Sequence, residues 1–294
     1  MLFRSKMTKT DYIVEAVLIL IGAVLSIIVL YPILNIIAKS FSSTQALMRG
    51  DVSLIPKEFT TGAYKIILTN EKILRATWNS IKLVFLDLVF RIAFTYLTAY
   101  PLAYCDFPGK KIWTKFILLA MWLSAGTIPY FLCLKGYGLY NSYWALVLGG
   151  MISPFHVVIV RNYMEGISKE LIDASRIDGA NEFKILRRVV LPLSKPILAT
   201  LAIWYITATW NSYMAPTIYL ADSDKFVLQQ VLRSIVLENN LAAYDMTQIA
   251  TDVNNFSEQI QHAVLIVSMV PMVIMYPFAQ KHFTKGVMLG GVKG

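Results

Sequence analysis

Ala16-Val-Leu-Ile-Leu-Ile-Gly-Ala-Val-Leu-Ser-Ile-Ile-Val-Leu-Tyr-Pro-Ile-Leu-Asn-Ile-Ile-Ala38 carries no formal charge. At about 1.5 Å of rise per residue, a helix of this length crosses a hydrocarbon layer about 30 Å thick. Lipid offers no water to the backbone amides, so a helix, which satisfies them internally, is the form such a segment takes. Arg4, Lys6 and Lys9 precede it, as in a secretory signal. The apolar run is longer than the roughly 7–15 residues of a signal core, and no A-x-A-like cleavage site follows, so the segment reads as a retained anchor.

Five further apolar runs follow, near Ser80–Ala103, Trp113–Leu134, Tyr143–Val160, Ile197–Leu220 and Ala263–Phe278. The expected fold is therefore an all-α integral membrane protein of six transmembrane helices. Composition agrees: of 294 residues, 56% are hydrophobic and only 15% charged, against roughly a quarter charged in soluble chains. Residues 1–294 are expected to form a single transmembrane domain, since the spans leave little chain for a separate soluble one.

The net charge of +9 does not call for nucleic acid, because basic residues beside apolar spans follow the positive-inside bias. Arg4, Lys6 and Lys9, then Lys110 and Lys111, then Arg161, Lys169, Arg176, Lys184, Arg187, Arg188 and Lys195, and finally Lys281 and Lys285 all fall on one side of a six-span chain. That side, with both termini, is expected to be cytoplasmic. The opposite segment 40–79 also holds several lysines, which runs against the rule, but the other external loops are poor in them. Thr60–Thr77 is expected to form an interfacial helix, and Leu228–Ile235 and Ala242–Ile249 short external ones. Cys105 and Cys133 lie near opposite faces, which argues against a disulfide.

Signals for catalysis are nearly absent. His156, His262 and His282 are far apart without metal-ligand spacing, and no G-x-x-x-x-G-K phosphate loop occurs. No catalytic residue, metal or cofactor is expected in this chain. Span two carries Lys82, Asp87 and Arg91, and the four-residue spacing of Asp87 and Arg91 lets them pair on one helical face. Charges inside spans are functional candidates. Such a pair is read either as a structural ion pair or as part of a proton relay in an ion-coupled secondary transporter. A non-transporting membrane scaffold is a third possibility.

The polar segment Ser168-Lys-Glu-Leu-Ile-Asp-Ala-Ser-Arg-Ile-Asp-Gly-Ala-Asn-Glu-Phe-Lys-Ile-Leu-Arg-Arg-Val-Val-Leu-Pro-Leu-Ser-Lys-Pro196 follows span four. Ser168 suits an N-cap, with Glu170 in the first turn. Leu171, Ala174 and Ile177 share a face, and Gly179 offers a stop. Asn181 can cap a second helix bearing Phe183, Leu186 and Val190, before Pro192 and Pro196 return the chain to the membrane. The expectation is a helix–turn–helix outside the bilayer, with Ala174 and Ser175 small enough for another backbone to approach.

Asp173-Ala-Ser-Arg-Ile-Asp-Gly-Ala180, followed by Val189-Val-Leu-Pro192 and Pro196, resembles the EAA loop of ABC-importer permeases, E-A-A-x-x-D-G-A then I-x-L-P and a further proline. Asp stands for Glu at 173 and Ser for Ala at 175. Trp78-Asn-Ser80, Trp210-Asn211 with Pro216, and the tail Gln280-Lys-His-Phe-Thr-Lys-Gly286 with Gly290-Gly-Val-Lys-Gly294 are similar to the maltose-permease G-subunit type of carbohydrate permease. Tyr143-Trp-Ala-Leu146 and Asn181-Glu-Phe183 resemble a Gram-positive branch associated with complex, often acidic, oligosaccharides.

The resemblance implies an ABC type I importer permease fold in a bacterial plasma membrane. It also implies a heterodimer with a second permease, two cytoplasmic ATPases that hold ATP and Mg, an extracellular substrate-binding lipoprotein and a carbohydrate substrate. The coupling loop would span about 163–192 and the cytoplasmic tail about 280–294. Glu170, Leu171, Asp173, Ala174, Ser175, Ile177, Asp178, Gly179 and Ala180 would meet the ATPase. Asp87, Arg91, Tyr130, Trp144, Trp210, Asn211 and Tyr213 are the candidates for the translocation pathway.

Overall fold

The computed structural model describes residues 9–238, 240, 242–244 and 253–290, with side chains described for 10–238, 240, 243–244 and 258–277. Among the described residues every regular element is helical. The α-helices are α1 (Lys9–Ser40), α2 (Thr44–Met48), α3 (Gly62–Thr69), α4 (Glu71–Tyr104), α5 (Lys110–Ala120), α6 (Thr127–Gly136), α7 (Tyr143–Gly149), α8 (Pro154–Glu165), α9 (Lys169–Ile177), α10 (Glu182–Ile185), α11 (Leu191–Leu193), α12 (Lys195–Trp210), α13 (Met214–Tyr219), α14 (Leu228–Val236) and α15 (Val253–Gly290). Two of them contain stretches long and apolar enough to cross a membrane, Thr10–Ser40 and Glu258–Pro277. The number rises to four if the bent pairs 143–165 and 182–210 each count as one span.

The chain divides into two compact units, 1–70 with 235–268, and 71–234 with 269–294. In the first, α1 exposes every side chain from Thr10 to Pro32. From Ala16 onward this stretch is apolar on every face and exposed along its length, which suits hydrocarbon. Its C-terminal end is held by polar contacts. Buried Ser42 donates to the Ala38 carbonyl and accepts from the Lys57 amide, Lys39 pairs with Glu258 at 3.2 Å, and Phe41 stacks between Phe59 and Tyr64. The interfacial helix expected over Thr60–Thr77 is two helices: α3 stops at Asn70, whose ψ of 114° is extended, and α4 begins at Glu71. The Asn70 side chain is taken by the Tyr244 carbonyl at 2.6 Å. Of the external segment expected at Ala242–Ile249, only a short turn over Ala242–Tyr244 lies within the described residues.

In the second unit α4 is the longest described element and packs chiefly against α8 and α12. Its buried residues, among them Leu83, Asp87, Thr95, Tyr96, Ala99, Tyr100 and Ala103, recur at the three-to-four spacing of one helical face. Val157, Val160 and Met164 of α8 and Leu201 and Tyr205 of α12 complete that core. Toward its N-terminal end α4 is stitched to the segment before α14: Asn79 donates to the Asp224 and Phe226 carbonyls, and Ser80 accepts from the Leu228 amide at 2.8 Å.

Three expected spans are interrupted. Trp113–Leu134 becomes α5 and α6, broken at 121–126, where Gly126 has φ +81°. Tyr143–Val160 becomes α7 and α8, bent by 49°. Ile197–Leu220 becomes α12 and α13, with Asn211–Tyr213 between them. Asn141, with φ 60°, ties the α6–α7 link to the segment after α13, accepting from the Ala221 and Asp222 amides and donating to the Asp222 carboxylate at 2.6 Å. Bonds from Lys225 and Asn141 hold Asp222 below the ordinary carboxylate range. Cys105 and Cys133 are both free.

Candidate functional site

The polar segment after α8 folds as two short helices around a left-handed turn. Ser168 stands at the N-cap position of α9, but its hydroxyl bonds the Glu170 carboxylate at 2.8 Å and not a backbone amide, so the expected side-chain cap is not made. Ile172 is the residue α9 buries, at 1% exposure, against the core at the C-terminal end of α4. Burial of such a side chain stabilises by about 1.5–3 kcal/mol, enough to seat a helix of two and a half turns.

Leu171, Ala174 and Ile177 all face outward, with Ile177 87% exposed. Glu170 and Asp173 are exposed beside them, while Ser175 is half-buried and bonds back to the Leu171 carbonyl at 2.8 Å. The Asp178 amide reaches the Ala174 carbonyl, the Gly179 amide reaches Arg176 and the Ala180 amide reaches Ser175 at 3.0 Å. Gly179 has φ +77°, and a Cβ there would meet nothing within 4 Å. The turn needs glycine for its handedness, and inside this chain it needs no extra room.

Asn181 does cap the next helix, accepting from the Lys184 amide at 2.8 Å. The chain then passes through a π turn over Leu186–Val190 and, beyond α11, turns by 83° into α12. Leu186 and Val190 are buried, whereas Phe183 is 65% exposed. The tail proposed for 280–294 has its backbone described only as far as Gly290, and its side chains and residues 291–294 lie outside the described residues.

Sequence reasoning passed over the residue that fastens this segment. Arg176 bonds Glu182 through Nε at 2.9 Å, Asp173 through Nη1 at 3.2 Å and the Tyr104 carbonyl through Nη2 at 3.1 Å. The Tyr100 hydroxyl donates to the other Glu182 oxygen. α9, α10 and the end of α4 thus meet at one guanidinium. The Arg176 bond, the largest influence on Glu182, holds that carboxyl below its usual range, and Glu182 in turn raises Arg176. Nothing in the spacing of the segment points to Tyr100 and Tyr104, which lie more than seventy residues earlier.

Higher on α4, Asp87 is 2% exposed and both its oxygens are engaged. Arg91 Nε donates to one at 2.8 Å and Thr209 Oγ1 to the other at 2.5 Å. The Arg91 guanidinium lies over the Tyr205 ring, 5.4 Å from its centre, and against Gly150, where a Cβ would come within 2.3 Å of Nη2. A cavity of about 90 Å³ touches Asp87, Arg91, Thr209, Ser212 and Ala215. Tyr130 borders a second, larger cleft, with its hydroxyl packed at Gly149. The other pathway candidates lie outside these two spaces. Trp144 meets Phe90 edge-on at 5.2 Å, Trp210 is buried, Asn211 caps α12 on the Thr207 carbonyl, and Tyr213 lies under Arg233.

Residues 8–288 match the family described as binding-protein-dependent transport system inner membrane component. The chain belongs to that family. Among its relatives, protein LplC of Bacillus subtilis is 34% identical over 98% of this chain and 97% of its own length. The polygalacturonan/rhamnogalacturonan transport system permease protein YtcP of the same organism is 34% identical over 92% of this chain and 94% of its own. A solved chain from a bacterial ABC transporter involved in the import of the acidic polysaccharide alginate is 29% identical and superposes with a TM-score of 0.88 over 95% of this chain and 99% of that one. The chain is accordingly a membrane component of a transport system that works with a binding protein.

Proposed function

We propose that the chain is one of two paired permease subunits of an ATP-driven importer carrying a carbohydrate, of the complex or acidic oligosaccharide class, across the bacterial plasma membrane. Residues 1–294 act as one permease domain with six spans, three of them broken, and with both termini in the cytoplasm. Two ATPase subunits hold ATP and Mg and do the hydrolysis. An external binding lipoprotein delivers the substrate.

The observation that carries this reading is α9. It is a polar helix turned outward, exposing Leu171, Ala174 and Ile177 as an unpartnered stripe beside small Ser175, with Gly179 ending it in a left-handed turn. Glu170, Leu171, Asp173, Ala174, Ser175, Ile177, Asp178, Gly179 and Ala180 are the surface offered to the ATPase. The relatives named for polygalacturonan/rhamnogalacturonan and alginate transport support the substrate class. An ion-coupled secondary transporter finds less support, because Asp87 spends both oxygens on Arg91 and Thr209.

Gly179→Asp forces a β-carbon into the left-handed region, at about 1–2 kcal/mol, and adds a carboxylate to the docking face. In the purified assembly in proteoliposomes, this variant is expected to lose substrate-stimulated ATP hydrolysis and uptake by at least about tenfold, while the chain alone hydrolyses no ATP. Normal coupled uptake would overturn the role given to the loop.

A further inference from the structure

Two of the broken spans open on the same space. The α5–α6 break supplies Ser124 and Gly126, the α12–α13 break supplies Ser212, and Thr127, Tyr130 and Tyr219 complete the principal lining of a cleft of about 480 Å³. That size falls within the roughly 300–1,000 Å³ of small-molecule sites. Interrupted helix at membrane depth leaves backbone groups without their helical partners, an arrangement tolerated where the backbone lines a cavity. Among the described residues the hydroxyls of Thr127 and Ser212 bond to no protein group, and no residue lining the cleft carries a formal charge.

Tyr130 is fixed in its wall. Its hydroxyl is buried against Gly149 with no hydrogen-bond partner among the described residues, and its ring meets Tyr219 edge-on at 6.1 Å. The residue therefore presents ring surface to the cleft, held before any ligand arrives. The smaller cavity beside Asp87 and Arg91 shares Ser212 and Ala215 with the cleft, so the two spaces adjoin. Asp87 and Arg91 neutralise one another there, and no net charge is added.

An aromatic face, free hydroxyls, open backbone and no charge suit a hydroxyl-rich, uncharged sugar ring. We infer that this cleft is a carbohydrate subsite on this subunit, taking one neutral pyranose unit of the translocated oligosaccharide, with Thr127 and Ser212 meeting its hydroxyls and Tyr130 its ring face. This rests on the reading of the chain as a sugar permease. A uronate carboxylate on the same substrate finds no cation in the cleft and is read elsewhere in the importer.

The test uses the complete reconstituted importer, with ATP hydrolysis stimulated by galactotriose and by trigalacturonate. Galactotriose, whose units are all neutral, serves as the probe, and stimulation by trigalacturonate alone overturns the neutral subsite. Ser212→Trp, which fills the cleft, is expected to raise the KM for galactotriose at least about tenfold, and Ser212→Ala and Thr127→Val each about threefold to tenfold through one lost hydrogen bond, all with kcat retained. A KM within about twofold of the parent in these variants overturns the subsite. If Ser212→Trp does not assemble, the two smaller variants decide. Gly179→Asp in the same preparation acts on kcat at unchanged KM, so failure of the loop and failure of the cleft are read on different parameters.

Discussion

α4 and the three interrupted apolar runs are all rich in hydrophobic residues, yet one runs 34 residues without a break and the others stop within 6 to 16. The difference lies in what stands mid-span. α4 has charged Asp87 and Arg91, which satisfy each other one turn apart without disturbing the backbone ladder. The interrupted runs have small or polar residues, Ser124-Ala-Gly126, Gly150 and Ser153, and Asn211-Ser212, where the chain leaves the helix. Pro101 stands within the last turn of α4, where its missing amide removes one backbone bond and few residues remain to be displaced. The continuous helix touches the polar segment at one end and the cavities at its middle, while the broken ones form the cavity walls. Rigidity and concavity are divided between them.

The comparison is broken most severely by Asp87→Ala. Removing the carboxylate leaves the partly buried Arg91 guanidinium without its partner, a loss of up to about 3 kcal/mol, seen as a lowered thermal midpoint of the purified assembly. Asp87→Asn keeps the oxygen that Thr209 donates to and is expected to lose less. An unchanged midpoint in Asp87→Ala would mean that Asp87, through its bond from Thr209, does not hold α4 to α12. On the broken side, Gly149→Ala puts a methyl within 1.6 Å of the Tyr130 hydroxyl, an overpacking of about 1–3 kcal/mol. Tyr130→Phe in the same chain removes that oxygen and is expected to restore part of the stability, because the next ring atom lies 2.8 Å away. Equal midpoints for the single and double variants would contradict the packing that fixes the Tyr130 ring.

What could be read from the sequence was local. The apolar run of α1, the left-handed stop at Gly179, the Asn181 cap and the i,i+4 pairing of Asp87 with Arg91 each depend on neighbours within a few residues, and each is present. The misreadings came where local signals competed. Ser168 had both a backbone amide and Glu170 in reach and took the carboxylate. Ser124-Ala-Gly126 was masked by the hydropathy on either side of it, and Asn70 divided a run that read as one helix. The joint at Arg176, and the meeting of two distant breaks around one cleft, depend on tertiary approach, which no spacing along the chain encodes.

If α4 carries the movement of α9 to the pathway, the joint at Arg176 must transmit it. The direct measurement is uptake per ATP hydrolysed in proteoliposomes for Arg176→Ala, Glu182→Ala and the double variant, with assembly checked in each. Because Arg176 and Glu182 act through one bonded pair, each single variant is expected to lower the ratio several-fold and the double variant to lower it no further. A ratio equal to the parent's in both single variants, or losses that simply add, would show that the loop drives the spans by another route.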